Sequence, residues 1–189
     1  GGTVGISGDR VVIGATGDDA AGNGEGAAYV YDLNSATPAV PVTVIHPPDP
    51  LSSSGFGFPV AIDGTRVVVG AEGANSNRRI YVFDIASAAT AEPVATFDKP
   101  LIRETDDFGY SAAISGTRVI VGAFSDGPAP RIGGRAYVFD LESATVTLPV
   151  LTLTNPSPAP NDWFGYSLAI SGSMVVVTAV YDDTGATGA

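Results

Sequence analysis

The chain has 189 residues, of which 15% are charged against roughly 25% in a typical soluble domain, and it carries 24 glycines and 14 prolines. Hydrophobic residues make up 44%, which excludes a disordered chain. That much glycine and proline excludes a helical bundle, and glycine without a period of three excludes collagen. The balance of 20 acidic to 9 basic residues, net −11, excludes a nucleic-acid partner, which needs clustered Lys and Arg.

Read from the start, residues 1–8 form a short strand that closes on Ser7-Gly8, a pair suited to a tight hairpin because glycine tolerates positive φ. A second strand over 10–15 follows, then a Gly/Asp-rich loop, a third strand over 28–32 and a fourth over 41–45. A connector containing His46-Pro47-Pro48 leads to Phe56-Gly57. The second unit turns at Asp63-Gly64 and has strands over 66–71, 80–84 and 93–97. The third opens at Phe108-Gly109, with strands over 110–114, 118–123, 136–140 and 149–153. The fourth opens at Phe164-Gly165, turns at Ser171-Gly172 and continues through 174–179. The three Phe-Gly pairs stand 52 and 56 residues apart. The units are therefore blades over 1–55, 56–107 and 108–163, and a partial blade over 164–189.

Four short strands repeated at this spacing, with no helical periodicity, predict an all-β fold: a β-propeller-type array of four-stranded antiparallel blades, about three and a half in this chain. The second strands are continuous Val/Ile runs, which predicts burial on both faces. Gly57, Gly109 and Gly165 are expected at backbone turns or close approaches between blades. Gly14, Gly70 and Gly122 are expected where a side chain would crowd a neighbour.

Phe-Gly followed by Val-Gly-Ala or Ile-Gly-Ala resembles the FG-GAP repeat, the blade of integrin α-subunit propellers and many bacterial surface proteins. The instances are Phe56-Gly57 with Gly70-Ala71 and Phe108-Gly109 with Gly122-Ala123, supported by Gly14-Ala15 and by Phe164-Gly165, which pairs with Thr178-Ala179. The resemblance covers essentially the whole chain. It implies an extracellular or cell-surface propeller. Such repeats often carry an Asp-rich calcium loop between the first two strands. Here that place holds Ser7-Gly8-Asp9, Asp63-Gly64-Thr65, Ser115-Gly116-Thr117 and Ser171-Gly172-Ser173, too few oxygens for the six to eight ligands of calcium. The chain resembles a calcium-free bacterial branch of the repeat, and no cofactor is expected.

Asp18, Asp19, Asn23 and Glu25 lie on one loop and are the candidate ligands if a calcium ion binds at all. The equivalent loops do not repeat them, and Arg78-Arg79 stands there in the second unit. Asp107 and Asp162 near the Phe-Gly turns are read as caps of turn amides. Asp32, Asp84 and Asp140 close each third strand and are read as turn-stabilising acceptors. Trp163 could stack on a sugar ring or pack between blades. His46 has no identifiable partner for general-base work. No Ser/His/Asp arrangement, nucleophile elbow or phosphate loop is present, so no catalytic residue is assigned.

With no cysteine, disulfides and thiolate metal sites are absent, and no apolar run reaches the 18 residues of a membrane span. The expected role is a non-enzymatic extracellular or surface module that binds a protein or glycan ligand. The alternatives are a structural subunit of a ring, filament or sheath, and a hydrolase or lyase acting on polysaccharide. A closed propeller needs about four to eight blades. Further blades are therefore expected from a longer chain, of which this is a segment, or from a second copy.

Overall fold

The computed structural model describes residues 2–19, 24–48, 53–73, 78–87, 92–100, 107–126 and 133–182. Two compact units divide the chain, Gly1–Asp98 and Lys99–Ala189. Every described strand pairing is antiparallel, and no helix occurs among the described residues. In the first unit, β1 (Thr3–Ser7), β2 (Arg10–Ala15), β3 (Ala27–Asp32) and β4 (Thr43–Ile45) form one meander in chain order. The second sheet joins β5 (Ser53–Ser54), β6 (Val60–Asp63), β7 (Arg66–Gly73), β8 (Arg78–Asp84) and β9 (Ala95–Phe97). In the second unit, β10 (Phe108–Ser115), β11 (Arg118–Ala123), β12 (Arg135–Asp140) and β13 (Leu151–Thr154) form a third meander. A pair, β14 (Phe164–Ser171) and β15 (Met174–Ala179), follows it.

The second blade departs from the predicted four strands. Its first strand, β6, begins only at Val60 rather than at the Phe-Gly pair, and a two-residue β5 ahead of that pair also joins β7. Pro59 is the reason: it stands where β10 and β14 have Ser111 and Ser167, and it has no amide to continue the ladder. The Gly70 carbonyl is taken instead by the amides of Gly57 and Phe58, at 2.9 and 3.3 Å. In β10 and β14 the same stretch runs through as one strand with a register shift.

Aromatic anchors order each unit. Phe56 is fully buried and meets Phe83 edge-on at 6.2 Å and 81°. It joins Val12, Val30, Ile45, Val67 and Tyr81 in the first unit's core. Phe108 repeats the arrangement on Phe139 at 6.4 Å and 80°. Phe164 is only half-buried, because β14–β15 has no third strand among the described residues to supply the matching ring. Two-faced burial of the second strands holds for β7 and β11. It fails for β2 and β15, where alternate residues face outward: Met174 and Val176 are 72% and 58% exposed. Each of those strands packs one face on a neighbouring blade, β2 on β6 and β15 through Val175 and Val177 on the third blade's core.

Candidate functional site

The joint between successive blades is built the same way in both units. The Thr3 hydroxyl donates to the Gly57 carbonyl at 3.0 Å, and the Ser111 hydroxyl to the Gly165 carbonyl at 2.8 Å. The Phe56 amide donates to Glu25 O at 3.1 Å and the Phe164 amide to Gly133 O at 2.9 Å. At the hairpin tips, the Ser7 and Ser115 hydroxyls accept the amides of Gly64 and Gly172, both at 3.0 Å. Close approach explains the glycines. A β-carbon on Gly14 would lie 1.8 Å from Gly57 O, and one on Gly122 would lie 2.0 Å from Gly165 O. Gly57, Gly109 and Gly165 have φ of 106°, 80° and 95°, a region open to glycine. Gly70 meets the Phe58 carbonyl of its own blade.

Repeated acids serve the scaffold. The carboxylates of Asp32, Asp84 and Asp140 accept the amide two residues on, at 2.9, 3.0 and 3.0 Å, and each sits opposite Arg10, Arg66 or Arg118 across the ladder. The amides of Ala86 and Glu142, followed by the hydroxyls of Thr65 and Thr117, hold Asp84 and Asp140 below the usual carboxylate range. Arg78 and Arg79 are taken up in ion pairs with Glu72 and Asp98, at 3.3 and 2.7 Å. His46 is exposed.

Of the candidate calcium ligands, Asp18 accepts the Tyr29 hydroxyl at 2.5 Å, which raises the Tyr29 pKa. Asp19 is exposed, Glu25 is buried, and Asn23 lies outside the described residues. A counterpart that sequence reading missed is Asp126. Like Asp18 it follows the Gly-Ala pair by three residues, and it accepts a hydroxyl from Tyr137, eleven residues on. Burial first, and Asp126 second, push the Tyr137 pKa up. The shared offset from Gly-Ala was the available signal. Asp126 is 1% exposed, and among the described residues its Oδ1 has no hydrogen-bond partner.

One place in the second unit breaks the repetition. A cavity of about 330 Å³ is lined by Asp107, Phe124, Ser125, Gly133, Gly134, Asn161 and Trp163. Asp107, Asn161 and Trp163 are the non-glycine residues of positive φ among those described, at 53°, 71° and 57°. Asp107 and Trp163 occupy the position that Gly55 holds in the second blade, also left-handed at 65°. Asn and Asp visit this region; a bulky ring there is strained. Packing holds the ring in place. Trp163 lies 5.1 Å from Phe124, 5.5 Å from Tyr166 in a stacked pair, and 4.7 Å from Tyr181 edge-on. Tyr110 completes the group, 4.9 Å from both Phe124 and Tyr166. The Asp107 carboxylate accepts the Ser125 hydroxyl at 2.6 Å. Asp162, beside the cavity, is buried and accepts the Ala159 amide and the Asn155 side chain, at 2.6 and 2.7 Å. The same positions in the first unit's joint are Thr16, Gly17, Glu25, Gly26, Ser53 and Gly55, with no aromatic ring.

Among solved structures, the chain is similar to a europium-containing methanol dehydrogenase at 11% identity, with a TM-score of 0.46 over 82% of this chain and 26% of that one. The chain thus spans about a quarter of that protein's length. No curated protein matches it. A family model described as the FG-GAP repeat matches residues 1–31, 41–83, 103–139 and 150–189. Those segments cover most of the chain and contain both joints and all three Phe-Gly anchors, so the chain belongs to the FG-GAP repeat family.

Proposed function

We propose that this propeller-type module is a non-enzymatic binding or adhesion unit of the cell surface or extracellular space, with a protein or glycan ligand. The observation that carries the reading is the cavity of Asp107, Phe124, Asn161 and Trp163, whose rings and amide have no counterpart at the first unit's joint. Residues present in every blade hold the fold, whereas a residue set found at one of the two described joints, and partly in strained backbone, is where recognition would reside. FG-GAP membership supports the surface location. Further blades, from a longer chain or a second copy, would cover the outward apolar face that Val4 and Ile6 present. A panel of immobilised glycans and matrix proteins, run beside a polysaccharide-depolymerisation assay, tests the proposal. Saturable retention without cleavage is expected. Release of new reducing ends would overturn the non-enzymatic reading, and retention of nothing would overturn the binding reading.

A further inference from the structure

We infer that the cavity beside Trp163 is a saccharide subsite that takes one or two neutral sugar residues, an inference that rests on the binding-module reading. Its volume, about 330 Å³, falls at the small end of the roughly 300–1,000 Å³ of ligand pockets. Its lining combines the two things a neutral sugar offers surfaces for. Phe124 and Trp163 supply aromatic area for the apolar C–H side of a pyranose ring. Asp107, Ser125 and Asn161 supply a cluster of acceptors and donors for hydroxyls, which both give and take hydrogen bonds. Ser125 spends its proton on Asp107 Oδ2, and this orients the carboxylate to receive ligand hydroxyls.

Charge selects among sugars. Among the described residues lining the cavity none is basic, one is a carboxylate, and the chain carries −11 overall. Among those lining residues a uronic acid or a phosphorylated ligand would meet the Asp107 carboxylate and no basic group. The ligand class is also set by what the cavity lacks in its counterpart. The first unit's joint keeps the left-handed φ before Phe-Gly, at Gly55, but has Thr16, Gly17, Ser53 and Gly55 in place of Phe124, Ser125, Asn161 and Trp163, with Ser53 in strand β5 where Asn161 is left-handed. The rings and the amide are therefore additions to the joint rather than requirements of it.

Trp163 is the chain's single tryptophan, so its emission reports on the cavity directly. The whole chain is titrated with neutral glucose-, galactose- and mannose-based oligosaccharides, with an oligogalacturonate, and with choline. The expected result is a saturable emission change with at least one neutral oligosaccharide and none with the oligogalacturonate. Asp107→Gly places at that position the residue that Gly55 provides in the second blade, so the left-handed backbone is kept. It should weaken sugar binding at least tenfold while the thermal transition stays in place. Choline binding in place of the sugars would overturn the inference in favour of a cationic ligand. A neutral sugar retained by the chain with no change in Trp163 emission, and equally by Asp107→Gly, would overturn this site and leave the binding-module reading standing. Failure of every neutral oligosaccharide, with protein retention on the panel, would do the same.

Discussion

At Trp163 the backbone asks for glycine and the sequence supplies the largest side chain. Left-handed φ at such a residue costs on the order of 1–3 kcal/mol, and contacts with Phe124, Tyr166 and Tyr181 offset it at about 0.5–1.5 kcal/mol per aromatic pair. Phe108 is the opposite case, a buried ring in ordinary strand backbone. Phe108→Ala should therefore cost roughly 3–5 kcal/mol in chemical denaturation. Trp163→Gly should cost less, because relief of the backbone offsets part of the lost packing; an equal or larger loss would contradict that balance. The turn carboxylates make a pH prediction. Asp84 and Asp140 have folded pKa values below their unfolded ones. Their stabilisation is thus complete above the ordinary carboxylate value of about 3.9 and is lost as pH falls below it through the folded value. In the double variant Asp84→Asn, Asp140→Asn, the denaturation midpoint should fall less steeply with acid below about pH 4 than in the parent chain; parallel curves would contradict the assignment. Recurrence made these aspartates readable from sequence. Trp163 was readable only as an alternative, and Phe124 and Asn161 not at all, because nothing local says which loop residues meet across a joint.

Among elements, the second and third strands were readable almost to the residue, since unbroken Val/Ile runs between Arg and Gly-Ala leave little freedom of register. The first strands were not. Whether the stretch after Phe-Gly runs on or breaks depends on one amide, which Ser111 has and Pro59 lacks. The joints depend on glycine in the second strand. Gly122→Thr would place a β-carbon about 2.0 Å from the Gly165 carbonyl, which is backbone and cannot swing aside. The expected loss is on the order of 3 kcal/mol, and Gly8→Ala, at an open hairpin tip with φ of 56°, should cost only the roughly 1–2 kcal/mol of its left-handed backbone. Differential scanning calorimetry of both variants checks the ordering, and equal losses would contradict the joint geometry. In β15 that position is naturally Thr178, whose hydroxyl turns back on the Ser167 main chain at 3.1 and 3.2 Å. The outward face of β14–β15 therefore lacks the slot that Gly14 and Gly122 leave open. A Phe-Gly blade docking there as at the other joints would drive its carbonyl into the Thr178 side chain.

For the molecule as a whole, the scaffold repeats, and the proposed recognition site lies where the described residues depart from the repeat. Period, turn residues and apolar runs were enough to read a blade array from the sequence, and the family match agrees with it. The division into two compact units has no counterpart in the spacing of the repeats, because every joint is written with the same motif. Outward apolar residues of each unit, Val4 and Ile6 on β1 and Met174 and Val176 on β15, predict concentration-dependent self-association in light scattering. Val4→Lys with Ile6→Glu should reduce it, and a strict monomer at all concentrations would contradict that prediction. The central claim is that recognition belongs to the second unit's joint. Hydrogen–deuterium exchange of the whole chain, with and without saturating neutral oligosaccharide, tests it most directly. Added protection is predicted at residues 107–110, 124–126, 133–135 and 161–166, with the first unit's joint unchanged; protection confined to the first unit, or spread evenly over both, would contradict it.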